Sequence, residues 1–299
     1  MTQATRSAAT GADTRRVVTR LTVAAVLCAF LLVGLAAVFV GTRPGQRLDD
    51  AALSGRVVQH PRTAARSDRL LRTISVGSLA FFGGAIMAVA LARGRWHLAI
   101  GAGAVIVGAN VTTQVFKEFL HRPHLVSNPL ISFNTLPSGH STVAASLAAA
   151  LVLVVPVRYR PLAATLGGLY AGGIAAMTLA AGWHRPSDAV SAFAVVGMWT
   201  FGVSALLVAL RGTGEPRAPE GLPGLVIGAV LVLGLAFGVI TLSTTISSAD
   251  GLHIVRIGLA YVLALGSIVV VAVTFMLSEV LLLRRVSLDR PSHQAHRIA

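Results

Sequence analysis

Three short polar segments interrupt an otherwise apolar sequence, and their residue types are those that phosphoryl transfer requires. Such a reaction needs an oriented nucleophile, cations that neutralise the phosphate oxygens, and a second group that protonates the leaving group. The segments run from Lys117 to His124, from Leu136 to His140 and from Gly182 to Asp188.

The third segment places His184 four residues before Asp188, with Pro186 between them at a predicted helix start. A carboxylate one helical turn away can fix one imidazole nitrogen as a donor and leave the other nitrogen nucleophilic. The pair is therefore a candidate catalytic dyad. Alone, the spacing is more typical of an acidic residue that complements a helix dipole beside an interfacial histidine.

The second segment, Pro137-Ser138-Gly139-His140, predicts the start of a helix. The first amides of a helix lack intrahelical partners, so Ser138 and Gly139 could help to bind an oxyanion there. His140 is the candidate general acid. A simple N-terminal cap from Ser138 would explain the serine and the proline, but it gives no reason for the histidine.

The first segment contributes the cations Lys117 and Arg122, which could hold phosphate oxygens. Lys117 is the only lysine among 25 basic residues, so a lysine stands at this one position in a chain that otherwise uses arginine. The alternative is a lysine that snorkels from the end of a membrane helix.

A metal centre is a weaker interpretation of the same segments. Four histidines could contribute, but the sequence has neither a zinc-binding H-E-x-x-H motif nor a cysteine pair. These are His121, His124, His140 and His184.

The elements that carry these segments are predicted to be membrane helices. The chain has 299 residues, is 55% hydrophobic and only 12% charged, which excludes an ordinary water-soluble domain. The expected fold is an all-α polytopic bundle of about eight transmembrane helices. The predicted spans are 17–41, 73–92, 97–116, 139–157, 161–182, 187–210, 223–243 and 254–283.

The net charge of +14 comes from arginines between the apolar runs, which favours topology signals and anionic-lipid contacts over nucleic-acid binding. With the amino terminus inside, 14 of the 25 basic residues are cytoplasmic, so the three polar segments face the exterior. The expected organisation is a disordered cytoplasmic terminus, a membrane core, two additional helices and a basic cytoplasmic tail. These parts cover 1–16, 17–210, 211–283 and 284–299.

Two further features concern packing. Gly168 and Gly172 form a small-xxx-small pair, which predicts close helix contact. The external loop around 43–72 mixes aspartates with arginines. It could cap the site or contact headgroups, but we expect a solvated connector.

Taken together, the motifs resemble the phosphatidic acid phosphatase type 2 superfamily, whose signatures are K-x(4 to 6)-R-P, P-S-G-H and S-R-x5-H-x3-D. The resemblance covers roughly residues 73–210 and implies a six-helix phosphatase-like core, if the first span is included. It implies a metal-free, cofactor-free mechanism in which His184 attacks phosphorus, Asp188 orients it and His140 protonates the leaving group. The implied phosphate-binding residues are Lys117, Arg122, Ser138 and Gly139.

The sequence departs from the third signature, because Met177 and Thr178 stand where the family has serine and arginine. A threonine cannot imitate the bidentate contact of a guanidinium with phosphate. Arg185 is the nearest candidate replacement, and an arginine that snorkels to headgroups is the alternative.

The resemblance implies a membrane phosphatase acting on a lipid phosphate or diphosphate, with the bilayer and that lipid as its partners. A lipid phosphotransferase and a non-catalytic lipid-binding member remain alternatives. A lipid transporter is less consistent with the sequence, since Arg256 and Glu279 are the only charges in the last two spans and lie near their ends.

Overall fold

The computed structural model describes residues 3–127, 129–213, 253–284 and 286, and all regular elements in these ranges are helical. This confirms the all-α membrane bundle. We number nine α-helices among the described residues, joined by short π- or 3₁₀-helical turns. They are α1 (Gln3–Leu35), α2 (Arg43–Ser54), α3 (Pro61–Leu71), α4 (Val76–Ala92), α5 (Trp96–Phe119), α6 (Gly139–Val154), α7 (Arg160–Ala180), α8 (Pro186–Arg211) and α9 (His253–Leu283).

The predicted spans coincide with helices wherever the structure describes them. Five helices are long and apolar enough to cross a membrane, and α3 with α4 forms a sixth, bent by 61°, if the pair is one span. At 16 residues, α6 is shorter than a typical spanning helix. The predicted span 223–243 and nearly all of the predicted tail 284–299 lie outside the described residues.

The amino-terminal segment differs from the expectation of disorder over 1–16. Residues 3–16 are the first turns of α1, which continues without a break into the apolar span. Good helix formers such as alanine and arginine let a helix that is already nucleated in the span extend into this polar segment.

Helix packing explains where the core lies. The central helices α5 and α6 are covered by α4, α7 and α8, while α1 packs on α8 and α9 packs on α7. The small-residue prediction is confirmed at the last of these contacts. A Cβ atom added at Gly168 would lie 2.7 Å from the Val273 Cα, and one at Gly172 would lie 2.9 Å from the Val269 Cα.

Alternating helix directions bring the three polar segments to one end of the bundle, which we call the site end. The carboxyl ends of α5 and α7 and the amino ends of α6 and α8 meet there. The opposite end, with the amino ends of α5 and α7, is the far end.

Residues 43–71, which we call the α2–α3 segment, pack on the site end. The expectation of a solvated connector is wrong, because Gln46, Asp49 and Leu53 lie on one buried face of α2, each at most 2% exposed. Thr42 caps the amino terminus of α2 by accepting from the Gly45 amide at 3.1 Å. The helix contacts both α8 and α9.

Candidate active site

His184 and Asp188 are in hydrogen-bond contact at the start of α8. Nδ1 of His184 lies 3.2 Å from Oδ2 of Asp188, and His184 is only 7% exposed. An ionised carboxylate can only accept a hydrogen bond, so Nδ1 is the donor and Nε2 is left with its lone pair. This is the arrangement that a nucleophilic imidazole requires.

Two further donors fix the Asp188 carboxylate. Oδ2 also accepts from the Thr135 hydroxyl at 2.5 Å and from the Arg185 amide at 2.9 Å. The second contact is one half of a capping box, since Asp188 is the third residue of α8 and accepts from the residue that caps it. The carboxylate therefore has one orientation, in which Oδ2 faces His184.

The P-S-G-H segment forms the amino end of α6 and is tied directly to the dyad. The Ser138 amide donates to the Asp188 carbonyl at 2.8 Å. The Ser138 hydroxyl accepts from the Ser141 amide at 3.4 Å and from the Ser141 hydroxyl at 2.9 Å. The serine thus caps α6, which agrees with the simpler of the two sequence interpretations for its side chain.

His140 lies beside the dyad. Its ring centroid is 5.2 Å from that of Trp183, the residue before His184. His140 also lies within electrostatic range of His184 and Lys117. The two histidines from different motifs therefore share one site.

Lys117 reaches the amino terminus of α6 from the end of α5. A Cβ atom added at Gly139 would lie 3.6 Å from the Lys117 Nζ and 3.8 Å from the Gln114 Nε2. Glycine leaves the helix terminus open next to these two nitrogens. Lys117 and the first amides of α6 thus point positive charge at the same place.

Arg122 is buried within electrostatic range of Asp188, with only 5% of its surface exposed. Its Nη1 and Nη2 atoms have no hydrogen-bond partner among the described residues. Burial lowers the pKa of Arg122, and the nearby Arg185 charge acts in the same direction. A buried guanidinium stays charged, so these nitrogens can bind an anion.

Arg185 is placed differently from the sequence expectation of a phosphate-binding cation. Its side chain is fully buried, and each of its three nitrogens contacts the protein. Nε donates to Asp50 Oδ1 at 2.9 Å, Nη1 to the Thr135 hydroxyl at 3.3 Å and Nη2 to the Ile131 carbonyl at 2.6 Å. The structure thus gives Arg185 a set of protein contacts and leaves no nitrogen directed at a phosphate.

Thr178, at the position of the family arginine, is buried within α7. Its hydroxyl donates to the Ala175 carbonyl at 2.7 Å. Its own carbonyl accepts from the amides of Trp183 and His184 at 2.9 and 3.3 Å. Position 178 therefore shapes the loop that carries the nucleophile and offers no charge.

Sequence reasoning missed four residues that contact the motifs. The side chain of Gln46 donates to the Pro123 carbonyl at 2.8 Å, and Asp49 accepts from both the amide and the hydroxyl of Ser187. The other two residues are Asp50 and Thr135, described above. The one available signal was the spacing of Gln46, Asp49 and Asp50, which places them on one face of a helix.

The carboxyl group of Asp49 has a raised pKa. Burial, and then the neighbouring charge of Asp188, raises the pKa of Asp49 to about 7. The Ser187 contacts and Arg185 act in the opposite direction.

The four histidines of the metal interpretation do not all come together. His121 and His124 are exposed, whereas His184 is buried. In the part of the chain that the structure describes, no group of three or more His, Cys, Asp or Glu residues is arranged to hold a metal ion.

A cavity of about 440 Å³ opens beside the dyad. Its wall includes Gly182, which has a φ of +77° and would bring any side chain into collision with the Arg56 guanidinium. The lining is mainly apolar or aromatic: Leu130, Ile131, Ser132, Phe133, Gly182 and Trp183.

Comparison with known proteins supports the same assignment. Residues 98–211 match the family model of the PAP2 superfamily, and this range contains all three motifs. No curated protein and no solved structure matched the chain. This match and its three motifs identify residues 98–211 as a segment of the phosphatidic acid phosphatase type 2 superfamily.

Proposed function

We propose that this protein hydrolyses a lipid phosphate or diphosphate at the site end through a phosphohistidine intermediate. One observation supports the proposal most directly. The His184 imidazole is oriented by Asp188 at 3.2 Å in the same site as Arg122, whose two terminal nitrogens have no hydrogen-bond partner within the described ranges.

The first half of the reaction transfers the phosphoryl group to the protein. Nε2 of His184 attacks phosphorus, and the bond between phosphorus and the leaving oxygen breaks with its electron pair on that oxygen. His140 donates a proton to this oxygen. Asp188 stabilises the positive charge that develops on the His184 ring, as the acidic member of a catalytic triad does.

The second half releases inorganic phosphate. Water attacks the phosphohistidine, His140 takes up a proton from this water, and the bond between phosphorus and Nε2 breaks. The electron pair returns to His184, so both histidines regain their starting states. No step requires a metal ion.

Fixed positive charge makes the main contribution to stabilising the transition state of phosphoryl transfer. Lys117, Arg122 and the first amides of α6, including that of Gly139, supply it in this proposal. The Ser138 hydroxyl caps α6 and contributes by holding this helix terminus in place. Arg185 acts on the carboxylate side of the dyad, through Thr135.

The location of the site favours a lipid as the substrate. The reactive groups lie where membrane helices end, and the neighbouring cavity exposes Leu130 and Phe133 at 49% and 67% of their surface. An acyl or prenyl tail can remain in the bilayer while the phosphate reaches His184. The arginine distribution of the sequence favours a location of this end outside the cell.

Phosphate release by the purified protein tests the proposal. The panel contains phosphatidate, phosphatidylglycerol phosphate, a prenyl diphosphate and a sugar-linked prenyl phosphate, each in mixed micelles. We expect release from at least one lipid, inhibition by vanadate and no effect of EDTA. Loss of activity in EDTA with rescue by zinc would contradict the mechanism.

His184→Ala is the decisive variant, and Asp13→Asn on the exposed amino-terminal part of α1 is the matched control. An active wild type with an inactive His184→Ala variant supports the enzyme. No release by either protein over the whole panel would favour a non-catalytic binder. Transfer of phosphate to an added alcohol in place of water would favour a phosphotransferase.

A further inference from the structure

A buried ion pair connects the α2–α3 segment to Arg185, the residue that caps the amino end of α8. Nε of Arg185 donates to Oδ1 of Asp50 at 2.9 Å, and the two side chains are 0% and 13% exposed. The residues are 135 positions apart, and Asp50 lies outside the family core 98–211. A pair this buried requires well-satisfied geometry, because both charges have lost water.

Arg185 continues this contact to the dyad through Thr135. Its Nη1 donates to the Thr135 hydroxyl at 3.3 Å, and that hydroxyl donates to Asp188 Oδ2 at 2.5 Å. A hydroxyl that accepts a hydrogen bond from a guanidinium points its own hydrogen away from that guanidinium. The arrangement therefore commits Thr135 to donate to Asp188.

Other charged groups surround this array. The charges of four nearby groups act on Arg122: Asp49, Asp50, Asp188 and Arg185. Both carboxylate oxygens of Asp49 already accept from Ser187. In contrast, Oδ1 of Asp188 has no hydrogen-bond partner in the described part of the chain.

We propose that Asp50 is a positioning residue, which holds Arg185 away from the Asp188 carboxylate and keeps Asp188 committed to His184. This inference rests on the proposed function, since it assigns a role within the same reaction. It makes α2 part of the active site.

Removal of the Asp50 charge has a defined consequence. Arg185 stays buried and charged, and Oδ1 of Asp188, which has no hydrogen-bond partner among the described residues, can accept from it. The guanidinium then competes with His184 for Asp188. The imidazole loses its orientation, and its protonated form loses the stabilisation that the carboxylate supplies.

Asp50→Asn tests the proposal, with Asp13→Asn as the control for an equal change in charge. With the panel lipid that gives the highest rate, we expect kcat to fall by about 10²-fold because the nucleophile is misplaced. We expect KM to stay unchanged within about threefold, since the phosphate-binding cations are intact. The acidic limb of the kcat profile should move to lower pH, an effect that a merely structural role does not produce.

Two further variants keep the test decisive. Asp50→Glu retains the charge and should recover most of the lost kcat. Asp50→Asn/Arg185→Gln buries no unpaired cation, so it is expected to fold even where the single variant does not. Its kcat should lie below that of the wild type, and its pH profile should return to that of the wild type. Unaltered kcat and pH profiles in folded Asp50→Asn protein would overturn the proposal. A double variant that still loses kcat by about 10²-fold and keeps a displaced acidic limb would overturn it as well.

A spectroscopic measurement separates this inference from the proposed function. In ¹⁵N-histidine-labelled protein in nanodiscs, the His184 signals are those lost in His184→Gln. We expect the Nδ1–H tautomer in the wild type and a mixture of tautomers in Asp50→Asn. This shift in a protein inactive on the whole panel would support the positioning role while the proposed function fails. An active wild type with the same tautomer and kcat in Asp50→Asn would refute the positioning role alone.

Discussion

Asp188 and Glu279 are both completely buried carboxyl groups on apolar helices, but their surroundings differ. Oδ2 of Asp188 accepts from His184, Thr135 and the Arg185 amide. Within residues 3–127, 129–213, 253–284 and 286, neither oxygen of Glu279 has a hydrogen-bond partner. Burial of an acid is therefore not sufficient for a reactive site. The difference lies in the donors that give the carboxylate one orientation.

The surroundings of Glu279 at the far end suggest a role in packing. The nearby charge is that of Arg160, which is 1% exposed at the start of α7. Nη1 of Arg160 donates to the Val286 carbonyl at 2.9 Å and to the Leu283 carbonyl at 3.5 Å. This arginine caps the carboxyl end of α9, where the helix dipole favours a cation. Arg160 thus links the start of α7 to the carboxyl end of α9.

Asp188→Asn should have the largest effect. The amide can turn its NH₂ group toward His184 and stabilise the wrong tautomer, so we expect kcat to fall by about 10⁴-fold. Glu279→Gln, the same chemical change at the other buried acid, should alter kcat by less than about threefold. Steady-state phosphate release measures both. Equal losses in the two folded variants would show that the comparison is mistaken.

Arg122→Met should separate activity from stability at the site end. The variant loses a cation that the transition state needs, so we expect kcat/KM to fall by about 10²- to 10³-fold. It also removes a buried charge without described hydrogen-bond partners at its Nη atoms, so Tm should rise. Arg122→Lys keeps the charge and should retain more activity. A lower Tm for Arg122→Met would mean that Arg122 is held by partners in the resting protein.

Glu279→Leu should destabilise the far end without affecting the chemistry. Arg160, which is buried and charged, would lose the electrostatic effect of the nearby Glu279 carboxyl group, so we expect the free energy of unfolding to fall. Arg160→Met/Glu279→Leu should recover most of this loss, because no unpaired charge remains. Denaturant unfolding in micelles provides the values for a double-mutant cycle. A double variant less stable than Glu279→Leu would contradict the assignment.

The approximate positions of the membrane helices and the meeting of the three motifs could be predicted from the sequence, because both depend on local signals. Apolar windows define spans, and alternating spans return Lys117, His140 and His184 to one end. The docking of α2 could not be predicted in this way. The contact from Asp50 to Arg185 spans 135 residues, and no local pattern distinguishes it from a solvated ion pair. The same long-range contact explains why Arg185 does not stand in for the missing family arginine.

Asp49→Asn should have the smallest effect, visible in the pH dependence of stability. Burial raises the pKa of Asp49 to about 7, from the ordinary aspartate value of 3.8. Between these values the folded protein binds more protons at this group than the unfolded chain does, so its contribution to stability falls as the pH rises. As the pH rises from 5 to 7.5, we expect the Tm of the variant to fall by less than that of the wild type. An unaltered slope would contradict the raised pKa.

The central claim is that the residue activated by Asp188 carries the phosphoryl group. The most direct measurement is rapid quenching of the protein with ³²P-labelled lipid phosphate, followed by peptide mapping under alkaline conditions that preserve phosphohistidine. We predict an alkali-stable, acid-labile label on the peptide that contains His184, formed equally well in EDTA and lost in His184→Ala. Turnover without any label at residue 184, abolished by EDTA and restored by zinc, would contradict the claim.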